Sequence, residues 1–409
     1  MKLDRILAFL VVAVLVAAVW IFLSKRSPVP GAGAPPEPPE DRLSLLVIGV
    51  PGLDPDLLRE VAAGGSLPNL TALAEGGATG TFDHLGRDVD PNIIWTTLVT
   101  GKTPERQGIG GTTVGPRGDI VPAPLVSTSR TAETIWTILS AEDRPVVVAG
   151  WPGTWPVEAV DGVMAGPHTQ YTLARAHGPV SDGIYPPDLA GAIDPLYREG
   201  AEFRRRDLAR FIDTGSTLGY EALIGVNYEG LGRAVAKDLT MVSIVERAAA
   251  DPGVEAALVH LGGLEDVQQR FWHYRYPEQF SLERLGDQYR EIFAQQTEAL
   301  GATIDRYYEF LDELVGRLLV VTREDAVVAL VSDHGYAGLS FGRQGQPLGG
   351  PAMYSERGMF VMAGPRIRAG ESAECAVFDV APTILEAASL PVPADLDGAP
   401  VAAVFVPER

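Results

Sequence analysis

Residues 43–58, LSLLVIGVPGLDPDLL, decide the fold. The first eight form a nearly continuous apolar run, which reads as a strand buried on both faces inside a parallel sheet. Pro51 and Gly52 end that strand, and Asp54 and Asp56 read as loop and helix-cap residues that open a helix. The strand-to-helix step then recurs. LPNLTALAEGG (67–77) reads as a helix ending in a glycine pair and IIWTTLVTG (93–101) as another; TAETIWTILSA (131–141) leads through a turn into the strand PVVVAGW (145–151). The strand EAALVHLGG (255–263) continues the core. Ile304, Tyr308, Leu311, Val315 and Leu318 mark one face of a long helix, which feeds the strands AVVALVSDHG (326–335) and GMFVMAG (358–364). Alternation of this kind gives an α/β domain with a largely parallel central sheet flanked by helices. Residues 168–235, with the mixed run REGAEFRRRDLARF (198–211), read as a helical insertion placed as a lid over the carboxyl ends of the strands.

A chain of 409 residues with 46% hydrophobic content can bury a large core. Its net charge of -20 disfavours a nucleic-acid partner, because no basic surplus is available to displace phosphate counterions. The single cysteine, Cys375, excludes a disulfide framework and any multi-cysteine zinc site.

Residues 6–23 form an apolar run long enough to cross a bilayer, so residues 1–26 are read as an N-terminal membrane anchor. A cleaved signal peptide is the competing reading, disfavoured by the prolines in GAGAPPE (31–37). Lys2 and Arg5 balance Lys25 and Arg26, so charge does not set the orientation. Residues 27–41 form a Pro/Gly-rich tether, and the folded domain is expected over residues 42–409.

The blocks GSLPNLTALAEGG (65–77), WTTLVTGKTPERQGI (95–109), GWPGTWPVEAVDGVM (150–164), VSDHGY (331–336) and FDVAPTILEAASLPVPADLDG (378–398) occur in order. Together they resemble the alkaline phosphatase superfamily, in its type I phosphodiesterase and nucleotide pyrophosphatase branch. The resemblance implies an alkaline phosphatase-like core. It also implies two metal ions, usually zinc, and a Ser or Thr nucleophile, since two cations stabilise both the attacking and the leaving oxygen of a phosphoryl transfer.

Residue by residue, the implied site is depleted. The first metal-binding Asp falls on Pro51, which has no ligating side chain. The nucleophile falls on Pro91, or one residue earlier on Asp90, whose setting DVDPN is also that of an Asx/Pro turn before a helix. The histidine of the family's HGI motif falls on Gln107. The D-x-x-x-H pair becomes Glu265 and Gln269, an acid with a longer arm and an amide that replaces imidazole poorly at zinc. The last histidine falls on Tyr354 or its neighbour Met353. Asp333 and His334 are retained as metal candidates, with a structural alternative: Asp333 accepting backbone N–H bonds in its turn and His334 a satisfied half-buried ring. His84, His168, His177, His260 and His273 show no ligand spacing and read as scattered core or surface histidines.

Three functions remain open on these residues. The first is a membrane-tethered pseudoenzyme that binds or regulates a protein partner at the former active-site face, with no cofactor. The second is a phosphoester or phosphodiester hydrolase with a rebuilt zinc or manganese site around Asp333, His334, Glu265 and Asp90. The third is a transferase or mutase acting on a phosphorylated head group. The domain is expected outside the cytoplasm, in the periplasm or at the cell surface.

Overall fold

A computed structural model describes residues 42–407, except 65–66, 84, 87–88, 111, 115–119, 123–124, 168–182, 202–207, 214–224, 280–285, 338–352 and 356. The expected anchor and tether, much of the expected lid, and His84, His168 and His177 lie outside these residues. Among the described residues no helix is long and apolar enough to cross a membrane.

In chain order the elements are β1 (Leu43–Gly49), α1 (Pro55–Ala62), α2 (Pro68–Gly76), β2 (Ala78–Asp83), α3 (Pro91–Thr100), α4 (Pro104–Gln107), β3 (Thr112–Val114), β4 (Ile120–Pro122), α5 (Ile135–Ala141), β5 (Val146–Ala149), β6 (Gly162–Ala165) and β7 (Ile184–Tyr185). They continue with α6 (Ala190–Ala201), α7 (Gly225–Ala248), β8 (Ala256–His260), α8 (Gly263–Arg275), α9 (Asp287–Leu300), α10 (Thr303–Val320), β9 (Thr322–Ser332), β10 (Tyr336–Ala337), β11 (Met353–Tyr354), β12 (Arg357–Ala363), β13 (Ser372–Ala376) and α11 (Val380–Ala387).

Nine strands form one sheet in the order β13-β2-β12-β9-β1-β8-β5-β6-β7. Its centre, β9-β1-β8-β5-β6, is parallel as expected. The sheet as a whole is mixed: β12 runs antiparallel to both β9 and β2, and β7 runs antiparallel to β6. The departure from a largely parallel sheet lies in these outer strands, where β12 returns beside β9 with no helix between them among the described residues.

β1 sits in the middle because nearly every residue is apolar. Leu45 and Val47 join one core cluster with Trp95, Trp136 and Ile384. Leu46 and Ile48 are equally buried and, by the two-residue period of a strand, point to the other face. On α10 the expected apolar face is present, with Ile304, Tyr308, Leu311, Val315 and Leu318 all buried. The expected lid boundary at Val235 falls inside α7, whose Leu231, Ala234, Val235 and Leu239 are buried. The last turns of β1, β8 and β9 come level, Gly49 pairing with His260 on one side and Val331 on the other. The loops that follow these three strands therefore share one pole of the sheet, where α/β proteins place their sites.

Candidate functional site

Hydrogen bonds between loops assemble this pole. Ser332 Oγ accepts from Leu53 N at 3.0 Å and donates to the His334 carbonyl at 2.8 Å, tying the loop after β1 to the loop after β9. Asp54 adds a second tie. Its Oδ1 caps α1 by accepting from Asp56 N and Leu57 N, both at 2.9 Å, and its Oδ2 accepts from Tyr336 N at 3.3 Å. The expected cap role of Asp54 is thus present, with a cross-link added.

Asp333 and His334 are buried at the end of β9. Asp333 is 1% exposed and neither carboxylate oxygen has a hydrogen-bond partner. The amides of Asp333 itself and of His334 still act on this carboxylate from within the turn, as expected, without reaching close hydrogen-bond geometry. The next two amides of that turn are used elsewhere, Gly335 N by the Arg357 carbonyl at 3.0 Å and Tyr336 N by Asp54. Burial pushes the Asp333 carboxyl up to about 6, with His334 opposing and Glu265 adding to the rise. His334 Nδ1 lies 3.2 Å from the Gly335 carbonyl. A carbonyl only accepts, so this geometry assigns the hydrogen to Nδ1. Nε2 then faces two acids, 3.6 Å from Asp333 Oδ1 and 3.8 Å from Glu265 Oε1. The three residues meet although Glu265 starts on α8.

The other positions are occupied by contacts of the protein with itself. Pro51 is buried at the end of β1. Asp90 is the N-cap of α3, and its Oδ1 accepts from Asn92 N at 2.9 Å and Asn92 Nδ2 at 2.8 Å. Pro91 is the first residue of that helix, and Asn92 Oδ1 accepts from Gly153 N at 3.1 Å. Gln269 Nε2 donates to Glu265 Oε1 at 3.0 Å. Gln107, wholly buried, donates to the Ile93 carbonyl and meets the Thr97 and Thr100 hydroxyls against α3. Tyr354 pairs through its backbone with Tyr336; its side chain lies outside the description.

The sequence matches the model of the type I phosphodiesterase / nucleotide pyrophosphatase family over residues 45–349. The chain belongs to this family. Through it the chain is a member of the alkaline phosphatase superfamily. No curated protein matches the sequence. Among solved structures, human ectonucleotide pyrophosphatase / phosphodiesterase 5 is similar at 11% identity, over 87% of this chain and 97% of that one, with a TM-score of 0.48. The murine protein of the same name gives 11%, 87%, 97% and 0.49. A phosphonate monoester hydrolase from Silicibacter pomeroyi is similar at 13% identity, over 88% of this chain and 76% of that one, with a TM-score of 0.47.

Among the described residues, those that the resemblance assigns to a two-metal centre do not supply its full set of ligands. Proline ligates nothing, the Asp90 carboxylate is engaged at a helix cap, and the Gln269 amide is bonded to the acid it would have to assist. Among the described residues no group of three or more His, Cys, Asp or Glu is arranged to hold a metal ion. Asp333, His334 and Glu265 remain as donors of the right chemical type, without a nucleophile beside them in the described structure.

Sequence reasoning passed over a second cluster at the same pole. His260, at the end of β8, lies edge-on to Trp95 with ring centroids 4.6 Å apart and 6.1 Å from the Trp151 ring. Its Nε2 is buried without a hydrogen bond. Burial and the Lys237 ammonium hold its pKa well below the usual range. Next to it, the fully buried Asp238 on α7 accepts from Gly263 N at 3.0 Å and from Tyr307 Oη at 2.9 Å. A Cβ on Gly263 would lie 1.9 Å from Tyr307 Oη, so glycine is required there. Burial is the main cause that raises the Asp238 carboxyl to about 7. These partners come from three helices far apart in sequence, and no local spacing could have announced them. His273, half-covered and stacked on Phe293, is pushed down to about 4 by burial.

Proposed function

We propose that this chain is a catalytically degenerate member of its family, tethered to a membrane by residues 1–26 with its domain outside the cytoplasm. It acts there as a binding or regulatory module that meets a partner at the strand-end pole. The observation that carries this reading is the start of α3, where Asp90 caps the helix and Pro91 opens it. A phosphoryl nucleophile belongs at that place, its hydroxyl facing the helix amides. The buried Pro51 and the Gln269–Glu265 bond support the same reading. Because changing even an outer-shell partner of a metal costs about 10- to 100-fold, replacing a carboxylate, two imidazoles and the nucleophile together leaves no route for two-metal hydrolysis. The test is metal content and turnover of the full-length chain purified without chelator. Well under one equivalent of zinc or manganese is expected, with no hydrolysis of bis(p-nitrophenyl) phosphate. Two equivalents of bound metal would sink the reading.

One observation favours the alternative of a hydrolase with a single rebuilt metal site. Asp333 is buried with both oxygens lacking hydrogen bonds, next to His334 and Glu265, and such a group calls for a cation or a donor. Hydrolysis that rises with added manganese and falls in Asp333→Asn would establish this second reading.

A further inference from the structure

Two helices stand beyond the strand ends. Asp238 Oδ1 accepts from Gly263 N at 3.0 Å, which fixes α7 beside the start of α8, directly after β8. One turn later on α7, Met241 meets Gly150 at the end of β5, so the part of α7 after Asp238 lies along the sheet and the part before it projects past the pole. α8 runs antiparallel to that projecting part, since Gly262 meets Lys237 at one end and Gly230 meets Arg270 at the other. At a rise of 1.5 Å per residue the Gly230–Arg270 contact lies about 10 Å beyond the strands. Arg270 is also about 140° around α8 from Glu265, on the face turned to α7.

Arg270 is bedded on that glycine. A Cβ on Gly230 would lie 2.5 Å from Arg270 Nε and 2.8 Å from Cζ, so the guanidinium rests against the bare backbone of α7. Glycine inside a helix is disfavoured, and here it makes room for the arginine. Of the three guanidinium nitrogens Nε alone is buried without a hydrogen bond, and the residue is half-buried, which leaves the outer edge with Nη1 and Nη2 towards solvent. The charges around it are matched to one another. Asp266, one turn before it, faces Lys237 at 3.6 Å, and Glu229 faces Arg233 at 3.4 Å. Arg275 binds Glu60 and Asp305. No acid among the described residues pairs with Arg270. A partly desolvated charge without a counter-ion is costly, and in a chain of net charge -20 a carboxylate is the easiest partner to provide.

Resting on the reading above that a partner docks at this pole, we infer that Arg270 is a docking arginine that takes one carboxylate, of a small acid or of an Asp or Glu side chain on a partner protein. The outer edge of a guanidinium matches a carboxylate with two parallel N–H···O bonds. An arginine already held by its bed loses less freedom on binding than a loose one. One charge answers one charge. A phosphate dianion is less well served, because the bases nearby are matched to Asp266 and Glu229.

The test is calorimetric titration of the full-length chain, at neutral pH and constant ionic strength, with sodium acetate, the blocked peptide acetyl-Gly-Glu-Gly-amide, its glutamine counterpart and sodium phosphate. The glutamyl peptide is expected to bind and the glutaminyl one not, with affinity at least tenfold weaker in Arg270→Gln and in Gly230→Ala. Gly230→Ala keeps every charge and places a better helix former in α7, so it holds the test open should Arg270→Gln fail to fold. Acetate binding would place the recognition in the carboxylate alone, and binding of the glutamyl peptide alone would place it in an acidic residue of a partner protein. The proposal is overturned if neither carboxylate binds, if the two peptides bind alike, if binding survives either substitution, or if phosphate binds more tightly than both carboxylates. The reading on which it rests falls separately, on stoichiometric zinc or manganese with phosphodiester turnover. Failure of the carboxylates without metal or turnover removes this inference alone.

Discussion

Gln269 Nε2 donates a hydrogen bond of 3.0 Å to Glu265 Oε1, one helical turn away on α8. This i,i+4 contact joins the two positions at which the family resemblance places an acid and an imidazole. Restoring that pair is a direct test of the equivalence. The double variant Glu265→Asp, Gln269→His supplies an imidazole, shortens the acid and removes the competing amide. Its zinc affinity is expected to exceed that of the wild type by about tenfold or more, the scale on which single ligand-shell changes act. Equilibrium dialysis with elemental analysis reads the change. Equal zinc retention in both proteins would show that these positions are not the family's metal positions.

The buried Asp238 gives the fold a pH dependence whose sign is fixed. Its carboxyl lies at about 7 in the folded chain against 3.8 unfolded, so the folded state holds a proton that the unfolded state has released. The stability from this group is fully present below about pH 4 and is lost as pH rises through about 7, an effect of roughly 4 kcal/mol at 1.36 kcal/mol per unit. Lys237 and Asp266, which face it, act in opposite directions on that value. Asp238→Asn keeps an acceptor for Gly263 N and removes the titration. Urea midpoints measured from pH 5 to 8 should fall with pH in the wild type and lie flatter in the variant. Parallel profiles would exclude Asp238 as the source.

Asp90 separates cap from catalyst. Losing an N-cap carboxylate costs about 1 kcal/mol, while the asparagine version keeps most of the cap. Asp90→Ala is therefore expected to lower the unfolding free energy from urea titration by that amount and Asp90→Asn to leave it near the wild type. Phosphodiester hydrolysis that is present in the wild type and abolished in the stable Asp90→Asn would make Asp90 a nucleophile.

The legible part of this protein was its periodic part. LSLLVIGV reads as a buried strand because its apolar run is nearly continuous and fills both faces, and β1 lies at the centre of the sheet. The α10 face reads from its 3.6-residue spacing and is buried as expected. Polar groups were less legible, because their partners are remote in sequence. Asp333 looked as if its own turn would satisfy it. That turn gives the Gly335 and Tyr336 amides to Arg357 and Asp54, the latter 282 residues from Tyr336. Asp238 gave no signal at all, since Gly263 and Tyr307 reach it from two other helices. Outer strands such as β2, with glycine and threonine in ATGTFD, lacked the apolar run that marks a central strand.

The placement of the domain is open to a single experiment. Residues 6–23 are apolar throughout, and the fifteen residues 27–41 that precede the domain are rich in proline and glycine. A segment of that composition is expected to be extended and open to a protease. The domain that follows begins at once with the central strand of its sheet, buried from Leu43 to Gly49 apart from the partly covered Ser44, so cleavage should stop where the fold starts. A net charge of -20 keeps such a domain off an anionic bilayer and in solution once released. Protease added to intact cells or spheroplasts is expected to cut within PPEPPED (35–41) and to free a fragment that starts near Arg42 and remains soluble. A chain that resists protease until the membrane is permeabilised would place the domain in the cytoplasm. Full-length chain found in the soluble fraction without any protease would remove the anchor itself.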